Sequence, residues 1–293
     1  MMKNLFKRIY KSAPFKKQIF QFIKFFWVPP HSIYKHLYFT GKMKVKVDES
    51  VDFHIIHHGM EIENDIFWKG LTGGWEKLSM QLWIQLCKKA KVILDIGSNT
   101  GIYALTAKAV NPGAKVFAFE PLTQMYKKLT ANVTLNNYDI ICMEKAVSDK
   151  NGTAIIYETG DDHVAAASLN EEMKATGKLG KETIIETVTL DSFFKKNQPL
   201  KADLIKVDVE TYEPHVLAGY RDCLAEHHPD FLIEVLTEDV GSRLQEVFAG
   251  LNYYYYNIDD KSGNIRRVDV IVKSDYFNYL ICSLSSATKL GLL

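Results

Sequence analysis

The sequence predicts an α/β fold built on a mostly parallel, Rossmann-like sheet, and three observations carry that prediction. The apolar run Val92 to Ile96 stops at Gly97, a second glycine follows at Gly101, and Ile102 to Lys108 then has helical spacing. A second apolar run, Lys115 to Phe119, ends in the acid Glu120. Strand-like and helix-like segments alternate from there, the pattern of a parallel sheet covered by helices. Gly97 permits a turn that a Cβ would penalise, and Gly101 lets the helix lie close to the strand. Glu120 falls at the tip of the second strand, where one carboxylate can accept from both hydroxyls of a ribose.

Taken in order, residues 1–28 read as one or two helices, stopped by Pro29-Pro30. Lys42 to Val47 alternates apolar and basic residues, a strand with one wet face, and Asp52 to His57 is its hairpin partner. Glu61 to Trp75 mixes glycines with Phe67, Trp68 and Trp75. It reads as a loop, either a segment lying over a ligand or a packed connector. Lys77 to Lys89 is a helix leading into the first core strand. A helix at Ile102 to Val110 ends at Asn111-Pro112-Gly113, and the second strand's helix runs from Thr123 to Leu135. The third strand is expected at Ile140 to Val147, with Asn151-Gly152 turning Thr153 to Tyr157 back beside it. A polar loop from Gly160 to Ser168, a charged stretch and a strand at Ile184 to Leu190 complete an insertion. The fourth strand is Asp203 to Val209, followed by a helix at Glu213 to Tyr220. The fifth is Phe231 to Leu236, followed by a helix at Val240 to Gly250. Tyr253 to Ile258 and Val268 to Val272 form a closing hairpin, the tyrosine strand having one buried and one wet face. Three parts follow: an extension over 1–90 (basic amphipathic helix, small hairpin, cap segment), a ligand-binding domain over 91–275, and a tail over 276–293.

Composition narrows the class. With 47% hydrophobic residues the 293-residue chain can bury a large core, and a net charge of +1 supplies no field to hold nucleic acid. The four cysteines are far apart, with no Cys-x-x-Cys pair, and read as buried thiols in a reducing, cytoplasmic compartment. No run is long enough to span a bilayer. Residues 1–28 hold seven basic residues and no acid, interleaved with Phe, Ile, Tyr and Trp. Two readings stand: a basic helix resting on an anionic membrane, at the inner face, or a helix packed on the domain or on the second copy of a homodimer, which is the favoured one.

The glycine loop is not G-x-G-x-x-G. It reads Asp95-x-Gly97-x-Asn99-x-Gly101. Asp95 would repel a pyrophosphate but suits a ligand carrying an ammonium and a sulfonium, which is S-adenosylmethionine. This pattern resembles motif I of class I methyltransferases, and with three further stretches it resembles the FkbM family more narrowly. Those stretches are Ala146-Val147-Ser148-Asp149, Val188-Thr189-Leu190-Asp191 and Leu204-Ile205-Lys206-Val207-Asp208-Val209-Glu210. The resemblance implies a class I methyltransferase sheet, mostly parallel with a C-terminal antiparallel hairpin. It implies O-methylation of a hydroxyl on a sugar, polysaccharide or small natural product. The residues themselves imply only the cofactor. N-methylation of an amine, or a non-catalytic membrane-associated module, are the alternatives. A nicotinamide oxidoreductase is disfavoured because no Tyr-x-x-x-Lys pair follows the motif. Nucleic-acid base methylation is disfavoured because Asp208-Val209-Glu210-Thr211 stands where Asn/Asp-Pro-Pro-aromatic would be needed.

Candidate cofactor contacts are Asp95 (methionine ammonium), Gly97, Ser98, Asn99 and Gly101 (backbone and amide), Glu120 with Pro121 (ribose), and Ala146, Val147 and Ser148 (adenine edge). Asp208, Glu210 and Glu213 are placed at the acceptor side, beyond the fourth strand. Asp208 or Glu210 is the expected base or hydroxyl clamp, and His163 in the insertion loop is the alternative base. The family usually has glycine where Thr211 stands. No metal site is expected: adjacent histidines such as His57-His58 point to opposite faces of a strand. Glu234, inside an apolar strand, needs a partner, and it could join Asp208 around a divalent cation, though the sequence does not force that reading.

Overall fold

Period-two alternation in the apolar runs divides the sheet into two faces. Val92, Leu94 and Ile96 enter one core with Phe193, Phe194, Leu244 and Phe248. Ile93, between them, enters another with Trp83, Leu105 and Leu129. Helices must therefore cover both faces. The computed structural model of the chain describes residues 15–159, 167–169 and 179–293.

The chain runs through α1 (Lys16–Phe26), α2 (His31–Tyr34), β1 (Gly41–Lys46), β2 (Asp52–His57), α3 (Glu61–Lys69) and α4 (Lys77–Cys87). It then alternates: β3 (Val92–Ile96), α5 (Ile102–Val110), β4 (Lys115–Phe119), α6 (Thr123–Leu135) and β5 (Ile141–Met143). A side excursion follows, with β6 (Ala146–Val147), β7 (Gly152–Thr159), β8 (Ala167–Ser168), β9 (Leu179–Val188) and α7 (Leu190–Lys196). The main sheet resumes with β10 (Leu204–Val207), α8 (Glu213–Ala218), α9 (Arg221–His227), β11 (Asp230–Glu234) and α10 (Glu238–Phe248). It closes with β12 (Tyr254–Asp259), β13 (Asn264–Val268), β14 (Asn278–Cys282) and α11 (Leu284–Lys289).

The eight-stranded sheet has the order β13-β12-β14-β11-β10-β3-β4-β5. Strands β5, β4, β3, β10 and β11 are parallel, while β14 runs antiparallel to both β11 and β12. This is the mostly parallel sheet with a closing antiparallel hairpin that the sequence predicts. From β3 the chain winds outward one way through β4 and β5, then returns to wind the other way through β10 and β11. The reversal between β3 and β10 opens a crevice at their carboxyl ends.

Several expectations need correction. The segment from 276 is not a tail. Asn278–Cys282 is a wholly buried strand seated between β11 and β12. The tyrosine strand β12 therefore has neighbours on both edges and cores on both faces: Tyr255 enters one core and Tyr256 the other, with no wet face. Its hairpin partner is Asn264–Val268, not Val268 to Val272. The third strand breaks at Glu144-Lys145, so β5 stays in the main sheet while β6 starts a four-stranded sheet of order β6-β9-β7-β8. Strand β9 thus lies between β6 and β7, where a direct hairpin was expected. Glu61–Lys69, read as loop, is a helix whose Trp68 is fully buried. All four cysteines are free, but only Cys87 and Cys282 are buried. Among the described residues no helix is long and apolar enough to cross a membrane.

Candidate active site

The loop after β3 is built by backbone constraints. Gly97, Asn99 and Gly101 have φ of +81°, +50° and +92°. The Gly97 and Ser98 amides both donate to the Phe119 carbonyl at 3.0 Å, and the Asp208 amide donates to Ile96 O at 3.0 Å. The tips of β3, β4 and β10 are thereby laced together. A Cβ on Gly97 would sit 1.8 Å from the Asp208 carbonyl oxygen, so only glycine allows this approach. Asp95 is 1% exposed. Its Oδ2 accepts from the Ala104 amide at 3.0 Å, in the first turn of α5. It thus caps a helix and lines the cleft at once. Glu120 accepts from the Asn99 amide through Oε2 and from the Leu122 amide through Oε1, both at 2.9 Å. Two fixed amides orient it, and each oxygen keeps a second lone pair.

A cleft of about 240 Å³ opens at the carboxyl ends of β3, β4, β10 and β11. Of the expected cofactor residues, Asp95, Gly97, Ser98, Asn99, Glu120, Pro121, Ala146 and Val147 line it. Gly101 does not; it packs against Leu129 of α6. Ser148 does not either. It is 3% exposed and its Oγ meets Asp149 and the Tyr212 hydroxyl. Asp208 and Glu210 line the cleft. Glu213 lies outside it, fully buried beneath the loop, with Oε1 accepting from the Val209 amide at 3.1 Å and Oε2 without a partner among the described residues. His163 lies outside the described residues. Met60, Ile62 and Trp75 also border the cleft, so the segment read as cover or connector does both, its Phe67 and Trp68 being core.

Three site residues were not singled out in the sequence, Glu76, Tyr103 and Lys206, and Glu234, noted there as an acid inside an apolar strand, joins them. All four line the cleft. The Tyr103 hydroxyl donates to Glu76 Oε2 at 2.5 Å. Lys206 is 3% exposed; its Nζ donates to Asp208 Oδ2 at 2.7 Å and lies 4.4 Å from the centre of the Tyr103 ring. Burial would lower the Lys206 pKa, but Asp208, Glu76 and Asp95 reverse that and hold it above its usual range. The signal that could have found Lys206 is the one noticed at Glu234, a charge inside an apolar strand.

Asp95, Glu76, Glu120, Asp208, Glu210 and Glu234 line the same cleft as this ammonium, so the cleft is acid-rich. Burial pushes Asp95 up to about 6 and Glu120 and Glu76 to about 7. Glu210 rises to about 7 through burial and then the charge of Asp208, and Glu234 to about 10 through burial and the charges of Asp208 and Glu210. Glu213 rises to about 8 through burial. A cationic ligand would relieve this frustration. Glu210 and Thr211 both have left-handed backbones, φ +53° and +76°. For Thr211, standing where the family's usual glycine would be, that strain costs about 1–3 kcal/mol. Among the described residues no three His, Cys, Asp or Glu side chains are arranged to hold a metal ion.

The raised carboxyls have a consequence for stability. At neutral pH the folded chain retains protons that ordinary unfolded carboxyls have released, so stability is fully present below about pH 4.5 and is lost as pH rises through about 8 for Glu213. Glu213→Gln should flatten the decline of unfolding free energy between pH 5.5 and 7.5 by up to about 1.4 kcal/mol per pH unit. Urea melts at several pH values measure this, and an unchanged slope would contradict it.

The model of the methyltransferase FkbM domain matches residues 95–257. This chain belongs to the FkbM family of methyltransferases. Among its relatives, the hexuronic acid methyltransferase AglP of Haloferax volcanii is 28% identical over 145 residues, covering 50% of this chain and 56% of the relative. The 31-O-demethyl-FK506 methyltransferase FkbM of Streptomyces tacrolimicus is 27% identical over 191 residues, covering 57% of this chain and 73% of that one. The match thus spans little more than half the length of the first relative. A crystal structure of methyltransferase FkbM from Methylobacillus flagellatus superposes on 66% of this chain and 43% of its own, with 13% identity and a TM-score of 0.42.

Proposed function

We propose that this chain is an S-adenosylmethionine-dependent O-methyltransferase acting on a hydroxyl of a sugar or small natural product. The observation that carries the reading is the acid-rich cleft at the sheet's reversal point, with its glycine turn and its tip carboxylate. Its donor set fits a ligand bearing an ammonium, a sulfonium and a ribose. Asp95 would hold the ammonium, Glu120 would accept from the ribose hydroxyls, and Ala146 and Val147 would flank the adenine. When bound, S-adenosylmethionine supplies a methyl group on positively charged sulfur. The names of the two relatives, a hexuronic acid methyltransferase and a 31-O-demethyl-FK506 methyltransferase, support an acceptor on a sugar or small natural product, and the second supports transfer to oxygen.

The chain's own residues then have three tasks. The strand tips and the glycine turn orient the two reactants in line, the main source of acceleration in such a displacement. The apolar rim formed by Met60, Ile62 and Trp75 keeps water out. Glu210 takes the proton that the acceptor hydroxyl loses as its oxygen gains the methyl group. A carboxyl at about 7 is matched to that task near neutral pH. Asp208, tied to Lys206, serves as a fixed anchor for the acceptor.

Calorimetry tests the cofactor claim. The wild type should bind S-adenosylmethionine and S-adenosylhomocysteine at micromolar Kd. Glu120→Ala should bind about a hundredfold more weakly, since a hydrogen bond to a charged group contributes about 1.5–3 kcal/mol. Because Glu120 also accepts from the Asn99 and Leu122 amides, circular dichroism of the variant controls for collapse of the turn. No binding by folded wild type would sink the reading.

A further inference from the structure

We propose that the outward face of α1 docks on an anionic phospholipid membrane. The helix is amphipathic in an inverted sense. Its basic side faces the protein: Lys17 Nζ donates to the Lys42 carbonyl at 2.6 Å, and Lys24 Nζ donates to the Phe67 carbonyl. Phe20, on the same side, is buried against Trp68 with ring centres 5.8 Å apart. The apolar side faces out. Ile19, Phe22 and Phe26 fall on one stripe of the helix and are 52%, 68% and 70% exposed, and Phe15, at its N-cap, is 70% exposed. Phe25 and Trp27 widen it, at 81% and 55%. Packing has thus spent the polar face of α1 on the fold and left the aromatic face to solvent, an arrangement that marks an interaction surface.

Charge selects the occupant. The first acid of the chain is Asp48, and eleven lysines and arginines precede it. The whole chain has net charge +1, so the residues from Asp48 onward carry −10. Lys35, Lys42, Lys44 and Lys46, which flank the stripe in sequence, are exposed. A second copy covering the stripe about a two-fold axis would bring two such basic segments together. An anionic lipid surface attracts them instead, and phenylalanine and tryptophan side chains are suited to the headgroup boundary. The bulk of the molecule, being acidic, would stay turned away from the lipid.

Co-sedimentation of the full chain with lipid vesicles tests this. The wild type should pellet with vesicles containing phosphatidylglycerol, remain in solution with pure phosphatidylcholine, and be released by salt. The double variant F22D/F26D, altered only at exposed positions, should bind about tenfold more weakly or worse, with unchanged near-ultraviolet circular dichroism. Replacing Lys3, Lys7, Arg8 and Lys11 by Gln should weaken binding while leaving α1 intact. The proposal is overturned if the wild type ignores phosphatidylglycerol vesicles, if it binds neutral and anionic vesicles alike, or if F22D/F26D binds as the wild type does. A wild type that is dimeric by sedimentation, made monomeric by F22D/F26D and indifferent to vesicles would assign the face to a second copy.

Discussion

Glu210→Gln should lower kcat about 100- to 10,000-fold while leaving the Kd for S-adenosylmethionine within a few-fold of the wild type. The substitution keeps the size and planar shape of the side chain and removes its charge and its ability to take a proton. Burial and the neighbouring Asp208 charge hold the Glu210 carboxyl at about 7. The wild-type rate should therefore rise about tenfold per pH unit below pH 7 and level off above it, because the base acts only when ionised. The residual rate of the variant should lose that limb. Asp208→Asn is the contrasting variant. It would strip the partner 2.7 Å from the buried Lys206 ammonium of its charge, so folding should suffer along with turnover. A Glu210→Gln enzyme with an intact rate and an intact acidic limb would transfer the role of base elsewhere, and His163 would be the next residue to replace.

Gly97→Ala should destabilise the fold by about 4 kcal/mol or more, at the diagnostic end of single-residue effects. Two costs coincide there. A φ of +81° penalises any Cβ, and the new atom would lie 1.8 Å from the Asp208 carbonyl oxygen, a backbone atom that cannot swing aside. Two other glycines calibrate the result. At Gly101, with φ +92°, the obstacle is Leu129 Cδ1 at 2.5 Å, the far end of a side chain that can move. At Gly152, with φ +143°, nothing lies within 4 Å. Denaturant melts of the three alanine variants should rank Gly97 worst, Gly101 next and Gly152 mildest. If Gly97→Ala were no worse than Gly152→Ala, the close approach of the β10 tip to the glycine turn would be wrong, and with it the geometry of the cleft.

Much of the cleft's floor was legible because it is local. Strand β3, the Gly97 turn, helix α5, strand β4 and Glu120 occupy one continuous stretch. Their chemistry follows from apolar periodicity and from where glycine and acid fall, so the boundaries Val92–Ile96, Ile102–Val110, Lys115–Phe119 and Thr123–Leu135 were readable in advance. Beyond it the reading loosened. Asn278–Cys282 is a short apolar run after a polar loop, and nothing local says that it inserts between two earlier strands. Ser148 looked like an adenine contact because it ends an apolar run, yet the switch of β6 into the second sheet turns its hydroxyl toward Tyr212.

The sequence by itself determined the sheet's first half, the glycine turn and the family, because those depend on residues that are neighbours along the chain. Only the tertiary structure decided the cleft's electrostatics, since Glu76, Tyr103, Lys206 and Glu234 come from four separate segments and interact only once packed. It decided, too, which side of α1 faces outward. Helical spacing defines an aromatic stripe and a basic stripe, but nothing in the spacing says which one meets the protein. The contacts of Phe20, Lys17 and Lys24 with the fold settle that, leaving the aromatic stripe exposed.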